Sequence, residues 1–226
     1  MKKSVALTSG GLDSSVALML SLADHDFAFA VTFDYGQRAS LREIAAARGL
    51  CRRLSIPHEV IELPWLGKAT STALVNREAP IPRTSPGAVD DDAAARARAV
   101  WVPNRNGLFV SVAAAMAESA GAGFVVAGFN AEEARTFPDN SSGFVESTNR
   151  ALSFSTMNSV VLESPTLLMT KDEIARRAME LDLAPDLFWC CYEGGEKNCG
   201  MCESCARTMR AFERIGAADY IRGRFA

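Results

Sequence analysis

A layered α/β fold, with a doubly wound, mostly parallel sheet covered by helices on both sides, is what this sequence predicts. Three observations carry it. Short apolar runs alternate with segments that repeat apolar residues at helical spacing along most of the 226 residues. The run Phe27–Phe33 is almost continuously apolar, as a strand buried on both faces requires. The run Val5-Ala6-Leu7 passes through two glycines into a helical segment, a junction that such sheets place at the carboxyl ends of their strands.

The elements follow in order. Ser4–Thr8 reads as a first strand and Asp13–Ala23 as the helix after it. Phe27–Phe33 is the second strand. Ala39–Leu54 is a helix, with Ile44, Ala47, Cys51 and Leu54 on one face. On that face Cys51 reads as a packing residue. His58–Leu63 is a third strand, Gly107–Ala120 an alanine-rich helix, and Gly123–Gly128 a buried strand. Phe144–Thr156 is helical and Val160–Glu163 a further short strand. Thr170–Leu181 is a helix with its own start signal: Thr170 as N-cap and Glu173 three residues later form a capping box. Two segments break the alternation. Arg83–Ala99 is rich in Pro, Gly, Asp, Ala and Arg without a stripe, and reads as a solvated loop or a mobile lid. From Trp189 onward the cysteines gather, which divides the chain into an α/β part, 1–187, and a C-terminal helical segment, 188–226, packed on it.

Bulk composition narrows the function classes. The length suits one substantial core with a small appendage. The net charge is −3, and a protein gripping a nucleic-acid backbone would be basic, so no direct nucleic-acid partner is expected. No apolar stretch approaches a membrane span, and the few apolar residues after Met1-Lys2-Lys3 are too short a run for a signal peptide. A cytoplasmic protein is expected, in which clustered cysteines point to metal or catalysis instead of disulfides.

The segment Ser9-Gly10-Gly11-Leu12-Asp13-Ser14 carries the chemistry of the N-terminal half. Glycines let a backbone approach an anion without a Cβ clash. The free N–H groups of a first helical turn attract negative charge. Ser9 and Ser14 add hydroxyls, and Asp13 adds a carboxylate able to hold a metal beside phosphates. Neither a Walker loop nor a dinucleotide fingerprint is present. The segment resembles the pyrophosphatase-type loop of ATP-dependent amidotransferases, thiolases and related ligases, which split ATP between its α and β phosphates.

Five of the six cysteines lie between Cys190 and Cys205, as Cys190-Cys191, then Cys199-x-x-Cys202-x-x-Cys205. Two residues between thiolates let one turn aim both sulfurs at one ion, and four suit zinc, about one ion per chain. An iron–sulfur cluster is the other metal reading, although the cysteine–proline that ends the ferredoxin pattern is missing. Cys191 is favoured over Cys190 as fourth ligand, with Cys199, Cys202 and Cys205, because Cys190 follows Phe188-Trp189 toward the core. Few apolar residues lie between Tyr192 and Ala206, so the ion is expected to stand in for a core there. The phosphate loop is at the other end of the sequence, so metal loss is expected to touch ATP binding only indirectly.

Loop and tail together resemble the 7-cyano-7-deazaguanine synthases, the QueC family. The resemblance runs over essentially the whole chain. Beside the loop it rests on Thr32-Phe33-Asp34-Tyr35-Gly36-Gln37-Arg38, Val102-Pro103-Asn104-Arg105-Asn106, Phe137-Pro138-Asp139, Thr170-Lys171-Asp172-Glu173-Ile174, and Cys191-Tyr192 with the three later cysteines. It implies an adenine nucleotide α-hydrolase-like, PP-loop fold. The activity implied is ATP-dependent conversion of 7-carboxy-7-deazaguanine and ammonia to the 7-cyano base through an adenylylated acid, an amide and an adenylylated amide. One zinc, magnesium with ATP, and a homodimer are implied as well.

Carried onto this sequence, the resemblance puts ATP at Leu7, Thr8, Ser9, Gly10, Gly11, Leu12, Asp13, Ser14, Ser15, Val16 and Ala17. Asp13, Arg105 and Lys171 become the catalytic candidates; Asp34, Arg38, Phe137 and Asp139 become the substrate-binding ones. Read alone, Arg38, Arg105 and Lys171 are solvated surface charges, and Asp34 and Asp139 are turn caps; inside matched motifs they are placed near phosphates or the base. Many family members have Gly-Tyr-Pro-Asp-Cys-Arg where this chain has Thr136-Phe137-Pro138-Asp139-Asn140-Ser141, and Gly where it has Asn104. A relative that stops at the amide or joins the base to another acceptor, and an RNA thiolase, are the alternative readings.

Overall fold

The computed structural model describes residues 1–226. Five strands form one sheet: β1 (Lys2–Leu7), β2 (His25–Asp34), β3 (His58–Glu62), β4 (Phe124–Val126) and β5 (Val161–Glu163). Their order is β3-β2-β1-β4-β5, and every neighbouring pair is parallel. Parallel neighbours require crossovers, and the helices supply them. They are α1 (Leu12–Ser21), α2 (Ser40–Arg53), α3 (Pro64–Lys68), α4 (Ala93–Val100), α5 (Arg105–Ser119), α6 (Ser142–Ser155), α7 (Lys171–Glu180), α8 (Glu203–Arg214) and α9 (Ala218–Ile221).

Side chains alternate across a strand, so successive residues enter different cores. Val5, Val31, Phe33, Val125 and Leu162 join one core with Val110 and Ala113 of α5 and Leu152 of α6. Ala6, Ala30 and Val126 face the other, with Val16 of α1, Leu50 of α2, Ile174 of α7 and Phe212 of α8. A slip of one residue in β1 would exchange Val5 and Ala6 between two filled cores, which fixes the register. The winding reverses at β1, which has β2 on one side and β4 on the other. A crevice therefore forms beyond the carboxyl ends of β1 and β4.

All five expected strands are present, and the capping box of α7 forms as its spacing predicts. Thr170 N–H donates to Glu173 Oε2 at 2.7 Å, and Glu173 N–H donates to Thr170 Oγ1 at 3.3 Å. The segment Arg83–Ala99 departs from its expected character as a solvated loop. It contains most of α4 and a turn of 3₁₀ helix at Pro86–Ala88, and Val89 is fully buried. Arg83 pairs with Cys202 in an isolated antiparallel bridge, and Thr84 N–H donates to the Met201 carbonyl at 2.7 Å. The segment is thus strapped to the cysteine tail. Ala93–Val100 is built mainly of alanine and arginine, strong helix formers, and propensity makes the helix where a stripe is missing.

The C-terminal segment shares both cores. Trp189, Cys190, Cys191, Cys202 and Cys205 belong to the first, and Phe188, Ala211 and Phe212 to the second. The expectation that an ion replaces a core in the tail is corrected accordingly: buried apolar groups surround the cysteines.

Candidate active site and metal centre

The loop after β1 has its shape because two glycines allow close backbone contacts. Gly10 has φ +74°, and a β-carbon there would stand 2.1 Å from the backbone oxygen of Glu43 in α2. Gly128, just past β4, is the second: a β-carbon there would lie 2.5 Å from the Ser14 backbone. Both distances are far inside van der Waals contact, so only glycine lets α2 and the end of β4 close on the loop. Ser9 and Ser14 brace it from within. Their hydroxyls are 3.0 Å apart, and Gly11 N–H donates to Ser9 Oγ at 3.2 Å. No side chain caps α1, so the N–H groups of its first turn are left for an anion.

Lys171 and Asp13 stand beside this turn. The Lys171 ammonium donates to both carboxylate oxygens of Asp13, at 2.8 and 2.6 Å, and its side chain is 5% exposed. Burial opposes the charge on Lys171, but Asp13 and Glu133 outweigh it and hold its pKa above the ordinary lysine value. The capping box explains the placement. It starts α7 at Lys171, and α7 is pinned to α1 through the core that contains Ile174 and Val16.

A cavity of about 260 Å³ opens at the loop and runs between aromatic walls. Leu7, Thr8, Ser9, Gly11, Leu12, Asp13 and Ser14 line it, together with Arg105, Phe137 and Lys171. Of the expected ATP residues, Gly10 sits against α2, and Ser15, Val16 and Ala17 are buried in α1 beneath the loop. Asp139 lies beside the cavity. Its carbonyl accepts from Asn106 Nδ2 at 3.2 Å, and burial raises its carboxyl pKa against the pull of Arg105. Asn104 adopts φ +53°, the left-handed conformation that Asn tolerates best after Gly. A substituted glycine is therefore accommodated there, at the start of α5.

Asp34 and Arg38 do not line this cavity. Asp34 Oδ1 accepts from Gly36 N–H at 2.9 Å, closing a turn. Arg38 is held by the Asn76 carbonyl at 2.8 Å, by the Ala79 carbonyl, and by Glu193 at 3.0 Å. Its two Nη groups tie three chain segments together. Conversely, Tyr35, Gln37, Glu43, Glu133, Trp189, Cys190 and Tyr192 line the cavity without having been singled out as site residues in the sequence. Tyr35, Gln37 and Tyr192 fall inside motifs quoted above; nothing local marks Glu43 or Glu133.

The sulfurs of Cys191, Cys199, Cys202 and Cys205 all lie within 4.8 Å of one another, while Cys190 lines the cavity instead. Four thiolates on one tetrahedral ion at about 2.3 Å stand roughly 3.8 Å apart, so this arrangement fits a single ion. Backbone donors already converge on it. Glu193 and Cys199 N–H point at the Cys191 sulfur, each at 3.3 Å, and Met201 and Cys202 N–H point at the Cys199 sulfur, at 3.4 and 3.3 Å. Such donors favour thiolates. Cys51 stands apart, and burial pushes its thiol up to about 11, as suits packing alone.

An ionic network ties α8 to Asp90 and to Glu132 in the segment after β4. From α8, Arg207 reaches Glu203 and Glu132, both at 2.8 Å, while Arg210 reaches Asp90 at 2.6 Å and also Glu132. Burial works against the charge on Glu132, but the two arginines hold its carboxyl below the usual range. Trp189 N–H donates to the Gly10 carbonyl at 2.7 Å. The tail therefore touches the phosphate loop directly, contrary to what their separation in sequence suggests.

Comparison with known proteins agrees with this geometry. The profile of the family described as queuosine biosynthesis protein QueC matches residues 3–216. The 7-cyano-7-deazaguanine synthase of Methanosarcina barkeri is 46% identical over 225 residues, covering 96% of each chain. That of Carboxydothermus hydrogenoformans is 47% identical over 215 residues, covering 93% of this chain and 98% of its own. Among solved structures, a 4-thiouridine synthetase in complex with RNA and ATP superposes with a TM-score of 0.51 at 17% identity. It covers 96% of this chain and 53% of its own, and this likeness concerns the fold alone. By the extent of the profile match and the identity to these synthases, the chain belongs to the QueC family of queuosine biosynthesis proteins.

Proposed function

We propose that this chain is an ATP-dependent ligase that converts 7-carboxy-7-deazaguanine and ammonia to 7-cyano-7-deazaguanine. One observation carries the reading: the anion-binding turn with its Asp13–Lys171 pair and an aromatic-walled pocket holding Arg105 open into the same cavity. The chemistry needs both. A carboxylate is a poor electrophile because its leaving group would be oxide. Attack of that oxygen on the α-phosphate of ATP releases pyrophosphate and leaves AMP on the oxygen as a good leaving group, which ammonia then displaces, losing a proton, to give the amide. The amide oxygen meets the same obstacle, so a second ATP adenylylates it, and loss of AMP with the nitrogen's protons leaves the nitrile.

Each residue has a part. The first-turn amides of α1 and the Ser9 and Ser14 hydroxyls hold phosphate oxygens. Lys171 stabilises charge that builds on the α-phosphate during transfer. Arg105 orients the substrate carboxylate; its one protein hydrogen bond goes to Tyr35 Oη at 3.1 Å. Asp13 fits magnesium by donor type, as a hard carboxylate oxygen beside the phosphate turn, and bound magnesium would neutralise phosphate charge there. Zinc, one per chain, fits the four thiols and would tie the tail together.

Asp139 orders Arg105, and Phe137 walls the base. In this reading Asp34 and Arg38 support the pocket from outside. The exposed Phe154 and Met157, near the end of α6 beside the edge strand β5, support a homodimer. A net charge of −3 supports small-molecule substrates without direct nucleic-acid contact. No helix is long and apolar enough to cross a membrane, and six free cysteines suit the reducing cytoplasm.

The test is to incubate the purified protein with 7-carboxy-7-deazaguanine, ammonium and Mg-ATP and follow products by mass. The nitrile, with two AMP released per product, is expected. Amide alone would favour the shorter reaction, and neither product from folded, metallated protein would overturn the reading.

A further inference from the structure

Glu43 is a carboxylate on the cavity wall that the mechanism above does not use. It stands in the first turn of α2, and its backbone oxygen is the atom against which Gly10 packs. Gln37 fixes its side chain. Gln37 accepts from Tyr35 N–H at 2.9 Å and donates to the Phe33 carbonyl at 3.0 Å, so its amide is locked, and it then donates to Glu43 Oε2 at 2.9 Å. Glu43 Oε1 receives no hydrogen bond from the protein. A rigid carboxylate with one unpartnered oxygen in a cavity asks for a ligand that brings donors.

The surroundings define that ligand further. Phe33 and Phe109, which also line the cavity, stack with centroids 4.2 Å apart, and Tyr35 packs on Phe109 at 5.9 Å. Such walls suit a flat ring. Arg105 lines the same cavity and favours the charged form of Glu43, so one acceptor group and one cationic fork face the ligand space. The matching molecule carries adjacent N–H donors on one edge and an anionic group on another. A 2-amino-6-oxo deazapurine ring presents N1–H and the exocyclic amine side by side, a pair that a carboxylate accepts. Adenine instead sets its amine beside an acceptor nitrogen, which a carboxylate repels. The edge therefore suits the base substrate and not the ring of ATP.

We propose that Glu43, held by Gln37, is the specificity-determining residue that selects a 2-amino-substituted deazapurine by accepting hydrogen bonds from its N1–H and 2-amino group. This rests on the proposed function, since it assigns a residue to recognition of that substrate. Burial raises the Glu43 carboxyl pKa and the Gln37 amide opposes the rise, so the bound ring's N–H donors reinforce the ionised form. A site built to hydrogen-bond an amine rejects the analogue lacking it, because the buried acceptor is left unpaired.

The experiment compares kcat/KM for 7-carboxy-7-deazaguanine with that for its 2-desamino analogue, by AMP release, in wild type, Glu43→Gln and Glu43→Asp. Wild type should prefer the 2-amino substrate by at least about 100-fold. Glu43→Gln should bring the two within about 10-fold, with KM for ATP unchanged. Glu43→Asp, which keeps the charge, should restore part of the preference, and it decides the matter if the glutamine variant does not fold. Equal use of the two substrates by wild type, an undiminished preference in a folded Glu43→Gln protein, or a raised KM for ATP alone would overturn the proposal. No AMP release by wild type with either substrate would instead count against the functional reading itself.

Discussion

The phosphate loop and the cysteine tail are both glycine-bearing turns at the mouth of one cavity, yet they are shaped by different forces. Gly10 and Gly200 show it directly, with φ of +74° and +72°. A β-carbon on Gly10 would meet backbone at 2.1 Å, whereas one on Gly200 would meet nothing nearer than 3.9 Å, and only side chains. The loop's form is imposed by neighbouring backbone, so it exists before any ligand arrives. The tail is held by backbone at Gly194, where a β-carbon would stand 2.4 Å from the Arg38 oxygen, but it is free at Gly200, and its four sulfurs aim at one point. Where packing dictates shape, substitution disturbs local geometry; where a metal dictates it, loss of one ligand releases the whole segment.

The largest effect that difference predicts is at Cys202. It is both a proposed ligand and the N-cap of α8, and it bridges to Arg83. Structural zinc contributes about 10–16 kcal/mol of apparent binding energy in small sites, much of it expressed as folding. Cys202→Ser should lose the metal, free α8, and with it remove Arg207 and Arg210 from Glu132. Elemental analysis should give about one zinc per wild-type chain and essentially none in the variant. Because Trp189 reaches Gly10, ATP affinity should fall as well. Unchanged ATP affinity in a metal-free variant would show that loop and tail are independent after all. Full occupancy in Cys191→Ser would move the fourth ligand to Cys190.

Asp13→Ala strikes the loop's charge without touching its backbone. Turnover should fall by about 10³-fold or more, since Lys171 loses its orienting partner. Stability should fall by about 3 kcal/mol, the cost of leaving a buried charge unpaired. The pH dependence identifies the cause. In wild type the Lys171 pKa is raised, so the pair stabilises fully below the ordinary value of 10.5 and the benefit is lost as pH rises through the higher folded value. In the variant burial is opposed only by Glu133 and Glu132, so the folded pKa falls from its wild-type value; once burial carries it below 10.5, stability should climb as pH rises between the two values. Denaturant melts from pH 7 to 10 would show it. A variant whose stability is flat across that range would mean that Glu133, whose charge also raises the Lys171 pKa, takes over as its partner.

Gly10→Ala and Gly200→Ala set the two turns against each other with the same added methyl group. Each incurs the left-handed backbone cost of about 1–2 kcal/mol. Only Gly10→Ala also drives an atom into the Glu43 backbone, which must move α2 or the loop. It should lose ATP binding and more than 3 kcal/mol of stability, while Gly200→Ala should keep its metal and most of its activity. Thermal melts with ATP titration measure both. Equal losses would mean that the loop relaxes as readily as the tail.

How much of this was legible in the sequence follows the same division. Features fixed by near neighbours could be read. The strand–glycine–helix junction, the five strands, the Thr170 capping box and the Cys199-x-x-Cys202-x-x-Cys205 turn all rest on residues within a few positions of one another. Features fixed by distant chain could not. Nothing near Arg38 says that Asn76, Ala79 and Glu193 will take its Nη donors, and although Gln37 and Glu43 are only six residues apart, which cavity their pair faces depends on the chain packed around it. Helix α4 was hidden for another reason: only Ala97 and Val100 are buried, too few to make a stripe. The contact between Trp189 and Gly10 joins the two ends of the chain, and no spacing rule reaches so far.

Thr170→Ala should give the smallest effect, and it asks how finely the C-terminal half must hold Lys171 for the loop's sake. The substitution removes the hydroxyl that accepts from Glu173 N–H, while the reciprocal bond from Thr170 N–H to Glu173 can persist. Loss of an N-cap costs about 1 kcal/mol. The Glu173 carboxyl is held below its usual range, first by the Thr170 backbone N–H and then by the Thr170 hydroxyl. A depressed carboxyl pKa stabilises above the unfolded value and loses that benefit as pH falls through the folded one. The gap between wild type and variant should therefore be widest at neutral pH and narrow below about pH 4, where the unfolded carboxyl protonates. Thermal melts at pH 7 and pH 3 measure it. Lys171 is the first residue of α7, so fraying at Thr170 should lower kcat two- to threefold, by roughly the fraction of time the ammonium leaves Asp13. A kcat loss near that of Asp13→Ala would mean that the capping box, and not the ion pair, positions Lys171.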